Sequence, residues 1–329
     1  MAAAEREIES NGLSFETLLG GPEDGEAVVL LHGYPQSAAV WRPTMDWLAT
    51  RGYRSIAPNL RGYSPRANPA DAAAYSMDKL VGDVIGIAGA QGVDRFHLVG
   101  HDWGGALGWA IAATHPERLL SLTVISTPHG AAMRAAMRSS TQALRSAYMS
   151  FFRIPRLPEA MLNAANLRPT GLGLRLFGLP RASWQRDRGQ LRRAGGLHGP
   201  LNWYRGALGR GGGPPLIIVP TMYIWGRRDP FLGRRAAQLT AAQVVGPYRF
   251  EELKAGHWIV DRNAVDLQRL LGEHLAAHGA PAPPAAGSAP QTTAGAAAPK
   301  PRRAAAPRKP ASAPKRATRA KRKPDGEAG

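Results

Sequence analysis

Four short, nearly continuous apolar runs, Ala27–Leu31, Ser55–Ala57, Phe96–Val99 and Leu122–Ile125, punctuate the first part of the chain. Runs of that length without alternation fit strands buried on both faces of a parallel sheet. Between them the period changes. In Met77–Ala90, the positions Leu80, Val81, Val84, Ile85 and Ile87 fall at helical spacing, and a small-residue stretch from Gly100 to Thr114 reads as a second helix. Strand and helix signals in alternation predict an α/β sandwich.

After Ser126 the strand rhythm stops for about 90 residues. The segment Ala131–Arg210 reads as short helices and loops broken by Pro155, Pro158, Pro169, Pro180 and many glycines, the pattern of an inserted helical cap. Strand signals return at Pro220–Trp225 and Tyr248–Leu253, and a helix is expected from about Asn263 to Ala277. The expected organisation is a core in two parts, 1–130 and 214–278, a cap over 131–213, and a tail over 279–329. The tail holds Ala, Pro, Lys and Arg with almost no large apolar side chain. It buries too little surface to offset the entropy of ordering and is read as disordered.

With 329 residues and 44% hydrophobic content, the chain has material for one large core or two modest ones. A formal net charge of +18 points at first to nucleic acid, an anionic membrane surface or an acidic substrate. Its distribution changes that picture, because eleven basic side chains against Asp325 and Glu327 place half of the excess in the tail. The tail is then either a nonspecific contact to nucleic acid or an anionic surface, or a solvated solubilising segment. The absence of cysteine excludes disulfides, zinc–thiolate sites and a thiol nucleophile, and no cofactor or metal is expected. Met1–Leu19 carries Glu5, Glu7, Glu9 and Glu16 with no apolar segment behind a basic start. No run approaches the ~20 apolar residues of a membrane span, so a cytoplasmic protein is expected.

The chemistry concentrates where the third apolar run ends, at Gly100-His101-Asp102-Trp103-Gly104-Gly105. Glycines two residues either side of Asp102 suit a sharp strand-to-helix turn that points the central side chain into a cleft. This is a nucleophile elbow with aspartate where serine usually sits. A carboxylate there attacks carbon and forms an ester with the protein, a chemistry suited to opening an epoxide or displacing halide. The turn His32-Gly33-Tyr34-Pro35 ends the first run, where the backbone N–H of Tyr34 can join that of Trp103 in an oxyanion hole. Asp229, just beyond the strand ending at Trp225, and His257, in the loop after the next strand, complete the chain order nucleophile, acid, histidine. In that order the histidine activates water, while the acid holds its tautomer and stabilises its charged form.

Opening an epoxide leaves an alkoxide that needs an acid, and a tyrosine hydroxyl supplies one without competing as a charged base. The cap offers Tyr148, in Tyr148-Met149-Ser150-Phe151-Phe152-Arg153, and Tyr204, in Leu201-Asn202-Trp203-Tyr204-Arg205. By periodicity alone each reads as cap packing. Trp103 and Phe152 are the expected walls of the substrate pocket. Between Leu167 and Gly213, nine arginines stand against the single acid Asp187, which fits either an anionic substrate or a solvated basic face.

On the motifs His32–Pro35, Gly100–Gly105, Asn202–Arg205 and Gly256–Trp258, the sequence resembles the epoxide hydrolase branch of the α/β-hydrolase superfamily, from about Ser14 to Ala277. The resemblance implies the α/β-hydrolase fold, a mostly parallel sheet flanked by helices with an inserted helical cap. It also implies hydrolysis of a small-molecule epoxide by water to a vicinal diol. By it Asp102 is the nucleophile, Asp229 and His257 complete the charge pair, and Tyr148 and Tyr204 polarise the epoxide oxygen. The chain departs from the family pattern at Phe151, where a second tyrosine is common, and after Arg61-Gly62-Tyr63, where glycine usually follows soon but this chain reads Ser64-Pro65. Two alternatives stay open. One is a dehalogenase that uses the same aspartate with the Trp103 indole as halide donor. Against it, Tyr34 stands in place of the asparagine of the haloalkane branch, and Trp103, Gly104 and Gly105 in place of the arginines of the fluoroacetate branch. The other is a binding or scaffolding module directed to nucleic acid by the tail.

Overall fold

The continuous apolar runs become inner strands of one eight-stranded sheet, in the order β1-β2-β4-β3-β5-β6-β7-β8. The strands are β1 (Ala4–Ser10), β2 (Leu13–Gly20), β3 (Ala27–Leu31), β4 (Arg54–Pro58), β5 (Phe96–His101), β6 (Leu119–Ile125), β7 (Thr221–Gly226) and β8 (Tyr248–Leu253). They come from a computed structural model that describes residues 3–207 and 216–279. From β4 through β3 to β8 every neighbouring pair is parallel. The hairpin of β1 and β2 adds to the other edge antiparallel. That hairpin is absent from the sequence expectations. The edge strand β1 turns its glutamates to solvent and buries only Ile8 and Ser10, so it carries little apolar signal. Its turn, Asn11-Gly12, takes positive φ at both residues (49° and 71°), the two-residue connection that matches strand twist.

The helices are α1 (Arg42–Ala49), α2 (Met77–Ala90), α3 (Trp103–Thr114), α4 (Gly130–Ser139), α5 (Gln142–Arg145), α6 (Ala147–Phe152), α7 (Leu157–Leu176), α8 (Arg181–Arg193), α9 (His198–Gly206), α10 (Arg234–Leu239), α11 (Ile259–Arg262) and α12 (Ala264–Ala277). The two-residue period of β3 divides the core. Val29 and Leu31 pack with Leu80 and Val84 of α2 and Leu107 and Ile111 of α3. Val28 and Leu30 pack on the opposite face with Met45 and Leu48 of α1 and Leu267 and Leu271 of α12. Each such leucine contributes about 1.5–3 kcal/mol by leaving water.

Helices α4 to α9 all lie between β6 and β7. The prolines act where the sequence places them: α6 ends before Pro155, Pro158 sits in the first turn of α7, and Pro180 precedes α8. Pro169 follows a break in α7, where the backbone from Ala164 to Leu167 leaves helical angles. The expected end of the cap at residue 213 and residues 280–329 of the expected tail lie outside the described residues. Among the described residues, no helix is long and apolar enough to cross a membrane.

Candidate active site

The site is assembled at the carboxyl ends of β3, β5, β7 and β8, each of which delivers one turn to the same point. After β5, Asp102 takes φ 51° and ψ −119°, a conformation that costs energy for a residue with a Cβ. The flanking glycines allow it. A Cβ on Gly100 would stand 2.2 Å from the Gly104 carbonyl oxygen, and one on Gly104 would stand 2.3 Å from that of Leu31. The Asp102 N–H donates to the Ile125 carbonyl at 3.1 Å, and the Thr127 hydroxyl donates to the Asp102 carbonyl at 2.8 Å. The turn is thereby tied to β6 and the loop beyond it.

The turn after β3 approaches from the other side, and Gly33 has no room for a Cβ, which would lie 2.3 Å from that of Asp102. This closeness lets the Tyr34 N–H donate to Asp102 Oδ1 at 2.7 Å. The Trp103 N–H opens α3 and, as a first-turn amide, has no intrahelical acceptor. Of the two amides expected to converge, that of Tyr34 meets the Asp102 carboxylate, and that of Trp103 stands next to Asp102 in the chain with no helical partner.

His257, in the loop after β8, lies between two carboxylates. Its Nδ1 is 2.7 Å from Asp229 Oδ2, and its Nε2 is 3.5 Å from Asp102 Oδ2. Asp229 is buried, and its Oδ1 accepts the N–H groups of Phe231 and Leu232 at 2.8 and 3.0 Å. The His257 carbonyl is gripped by the Ser126 hydroxyl and by His101 Nε2, each at 3.0 Å. Burial works to lower the His257 pKa, but Asp229 and Asp102 together outweigh it and push it up to about 10. Burial likewise opposes ionisation of Asp102, yet His257 and the Tyr34 N–H hold its carboxyl below the usual range. The flanking carboxyl groups thus favour the protonated ring.

Asp102 and His257 open into a cavity of about 470 Å³ lined mostly by apolar side chains. Tyr148 on α6 and Tyr204 on α9 both line it, their ring centroids 6.2 Å apart. Burial pushes both phenols well above their usual pKa, and the Asp102 carboxylate adds to the effect. Both hydroxyls therefore keep their protons at neutral pH. In the motif around Tyr204, the neighbours anchor the helix. Trp203 Nε1 donates to the Arg61 carbonyl at 2.8 Å, and Arg205 pairs with Glu159 at 2.9 Å. This leaves Tyr204 to face the cavity.

Of the two expected pocket walls, Phe152 lines the cavity and Trp103 does not. The Trp103 ring lies edge-on against Trp203 and Tyr204, with centroids 5.5 and 5.0 Å away, so it buttresses Tyr204. The sequence reading missed Phe231, Trp258, Leu174 and Phe177, which complete the apolar wall. Trp258 alone had a signal, its position beside His257. Also missed was a buried tie between cap and core. Asp187, read only as the lone acid of a basic segment, accepts from the Ser37 hydroxyl at 2.7 Å and from Arg186 at 2.7 Å. Arg186 continues to Asp261, which also accepts from Gln36 at 2.6 Å. Arg186 and Arg205 are thus bound to carboxylates, unlike the free arginines of a solvated face. Among the described residues, no cluster of His, Asp and Glu is arranged to hold a metal ion.

Comparison with known proteins agrees with this architecture. A family model described as alpha/beta hydrolase fold matches residues 26–264. The AB hydrolase superfamily protein YfhM of Bacillus subtilis (strain 168) is 33% identical over 276 residues, covering 82% of this chain and 96% of its own. Epoxide hydrolase 4 of Mus musculus is 31% identical over 267 residues, covering 77% of this chain and 73% of its own. The crystal structure of Epoxide Hydrolase A from Mycobacterium thermoresistibile superposes with a TM-score of 0.72 at 26% identity, covering 83% of this chain and 98% of that one. A strand order, a turn chemistry and a sequence match that all coincide over most of the chain place it in the α/β-hydrolase fold family.

Proposed function

We propose that this protein hydrolyses an epoxide to a vicinal diol through a covalent ester on Asp102. The observation that carries the reading is the meeting, in one apolar cavity, of a pinned carboxylate and two protonated tyrosines. Oδ1 is held by the Tyr34 N–H, so Oδ2 is the oxygen free to attack a ring carbon. As the C–O bond of the epoxide breaks, Tyr148 and Tyr204 hold the departing oxygen, and one of them gives it a proton. The ester keeps Oδ1 as its carbonyl oxygen.

Ester formation removes the Asp102 charge, and with it one of the two carboxylates that raise the His257 pKa. The ring then passes its proton to the tyrosinate left by ring opening, and once neutral it acts as a base at Nε2 while Asp229 holds Nδ1. Water deprotonated by His257 attacks the ester carbonyl, and the tetrahedral oxyanion is met by the Tyr34 and Trp103 amides. Collapse expels the diol oxygen, which takes the proton of the re-formed carboxyl, and leaves Asp102 ionised, the tyrosine protonated and His257 carrying a proton as at the start. The sum is epoxide plus water to diol. Names carried by relatives, such as Epoxide hydrolase 4 and Epoxide Hydrolase A, support the substrate class. The two protonated tyrosines in the cavity favour the epoxide reading over dehalogenation, because they suit a departing alkoxide, which needs a proton, rather than a halide, which does not.

The test is intact-protein mass after mixing the His257→Gln variant with terminal and aryl epoxides and, separately, with haloalkanes. A gain equal to the whole epoxide, lost in Asp102→Ala, is the expected result. A gain equal to an alkyl group after halide loss, with none from any epoxide, would replace the reading with dehalogenation.

A further inference from the structure

The outer side of α7 is unlike the rest of the surface. In its second half, Pro169, Thr170, Gly173 and Leu174 turn inward and line the cavity. The spacing puts Arg168, Leu172, Arg175 and Leu176 on the opposite side, and all four are exposed. Leu172 and Leu176 show 61% and 79% of their surface to solvent. Leu157 and Met161 in the first half of α7, and Ile154, Arg153 and Arg156 in the turn before it, are exposed as well. The rim of the cavity joins this face, because Leu144 and Phe177 line the cavity while remaining 78% and 51% exposed.

The charges on this face have one sign. Arg153, Arg156, Arg168 and Arg175 make no ion pair among the described residues, and the segment's one acid, Glu159, is taken by Arg205. Large aliphatic side chains interleaved with free arginines are costly against water and repel a second copy of the same face. They suit a surface that accepts alkyl groups and offers anions, because an arginine buries its stem while its head stays at the charged boundary. We propose that the outer face of the cap docks on an anionic phospholipid bilayer, with the mouth of the cavity against the lipid. A poorly water-soluble ligand would then pass from bilayer to cavity without crossing bulk water. Docking does not rest on the chemistry at Asp102.

The full-length chain has no cysteine, so one placed at Leu176→Cys takes a single environment-sensitive nitrobenzoxadiazole label. The control is Asp94→Cys, exposed in the turn before β5 at the far end of the strands. The basic residues between 300 and 323 attract anionic vesicles by themselves, so sedimentation does not discriminate, but the label does. With equimolar phosphatidylglycerol and phosphatidylcholine vesicles, the probe at 176 is expected to shift to the blue and brighten about two-fold or more, while that at 94 stays unchanged. A probe at 176 that responds no more than that at 94 would overturn the proposal. So would an equal response to phosphatidylcholine alone, or one that grows with protein concentration without lipid, which would assign the face to a second copy. Leu172→Ser combined with Leu176→Ser, read by a label at Phe177→Cys, should lose the response.

Discussion

His257 holds its two carboxylate neighbours unequally, Asp229 at 2.7 Å through Nδ1 and Asp102 at 3.5 Å through Nε2. The close pair is permanent, whereas the long one lasts only while Asp102 is ionised. The two half-reactions should therefore respond differently to pH. Attack by Asp102, whose pKa is held low, should be flat between about pH 5 and 9, whereas ester hydrolysis should rise with pH as the ring loses its proton. Rapid-quench measurement of ester formation and decay separates the steps. Identical pH profiles for both would refute the assignment.

Asp229→Asn keeps an oxygen for the Phe231 and Leu232 N–H groups but turns an NH2 donor to His257 Nδ1, which removes the acceptor that fixes the ring. Ester hydrolysis should fall about 10²–10⁴-fold, with a smaller effect on ester formation. Single-turnover kinetics monitored by mass make the comparison.

Tyr148→Phe and Tyr204→Phe should each slow ester formation by about 10²-fold, and the double variant should nearly abolish it. Once an ester forms, its hydrolysis should change far less. If both single variants alkylate as fast as the parent, the tyrosines are packing residues.

Two glycine-to-alanine changes should move stability in opposite directions. At Gly104 a methyl meets the Leu31 backbone, whereas at Gly89, near the end of α2, it meets nothing within 4 Å. Gly104→Ala should cost about 2–4 kcal/mol, and Gly89→Ala should gain about 0.5–1 kcal/mol. Urea titration followed by circular dichroism measures both.

Stability should also fall on both sides of neutrality. Burial lowers the pKa of His32 and His274 from 6.5 to about 4, so between these values the unfolded chain binds protons that the fold refuses. Acidification through that window should lower Tm, and His274→Leu should shallow the slope. His257 has the reverse sign. Its folded pKa near 10 gives stability that is complete below 6.5 and lost as pH rises toward 10. A Tm profile flat from pH 4 to 10 would contradict both.

The sequence by itself determined the inner sheet, the helices that follow β4 and β5, and the turns that carry Asp102, Asp229 and His257. Each of these rests on a local rule: apolar runs for doubly buried strands, glycines where Asp102 must turn, and chain order along the sheet. The edge hairpin escaped because a strand with one side in water and glutamates on it has little apolar signal beyond its Asn11-Gly12 turn. The interior of the cap escaped for a different reason. Helical periodicity tells which side of a helix is buried, but not what it is buried against. Only the tertiary structure decided that Trp103 packs edge-on against Tyr204, that Asp187 ties the cap to Ser37, and that Phe231 and Phe177 close the cavity. Those contacts join segments far apart in the chain, and their energy depends on distances and angles that no local pattern encodes.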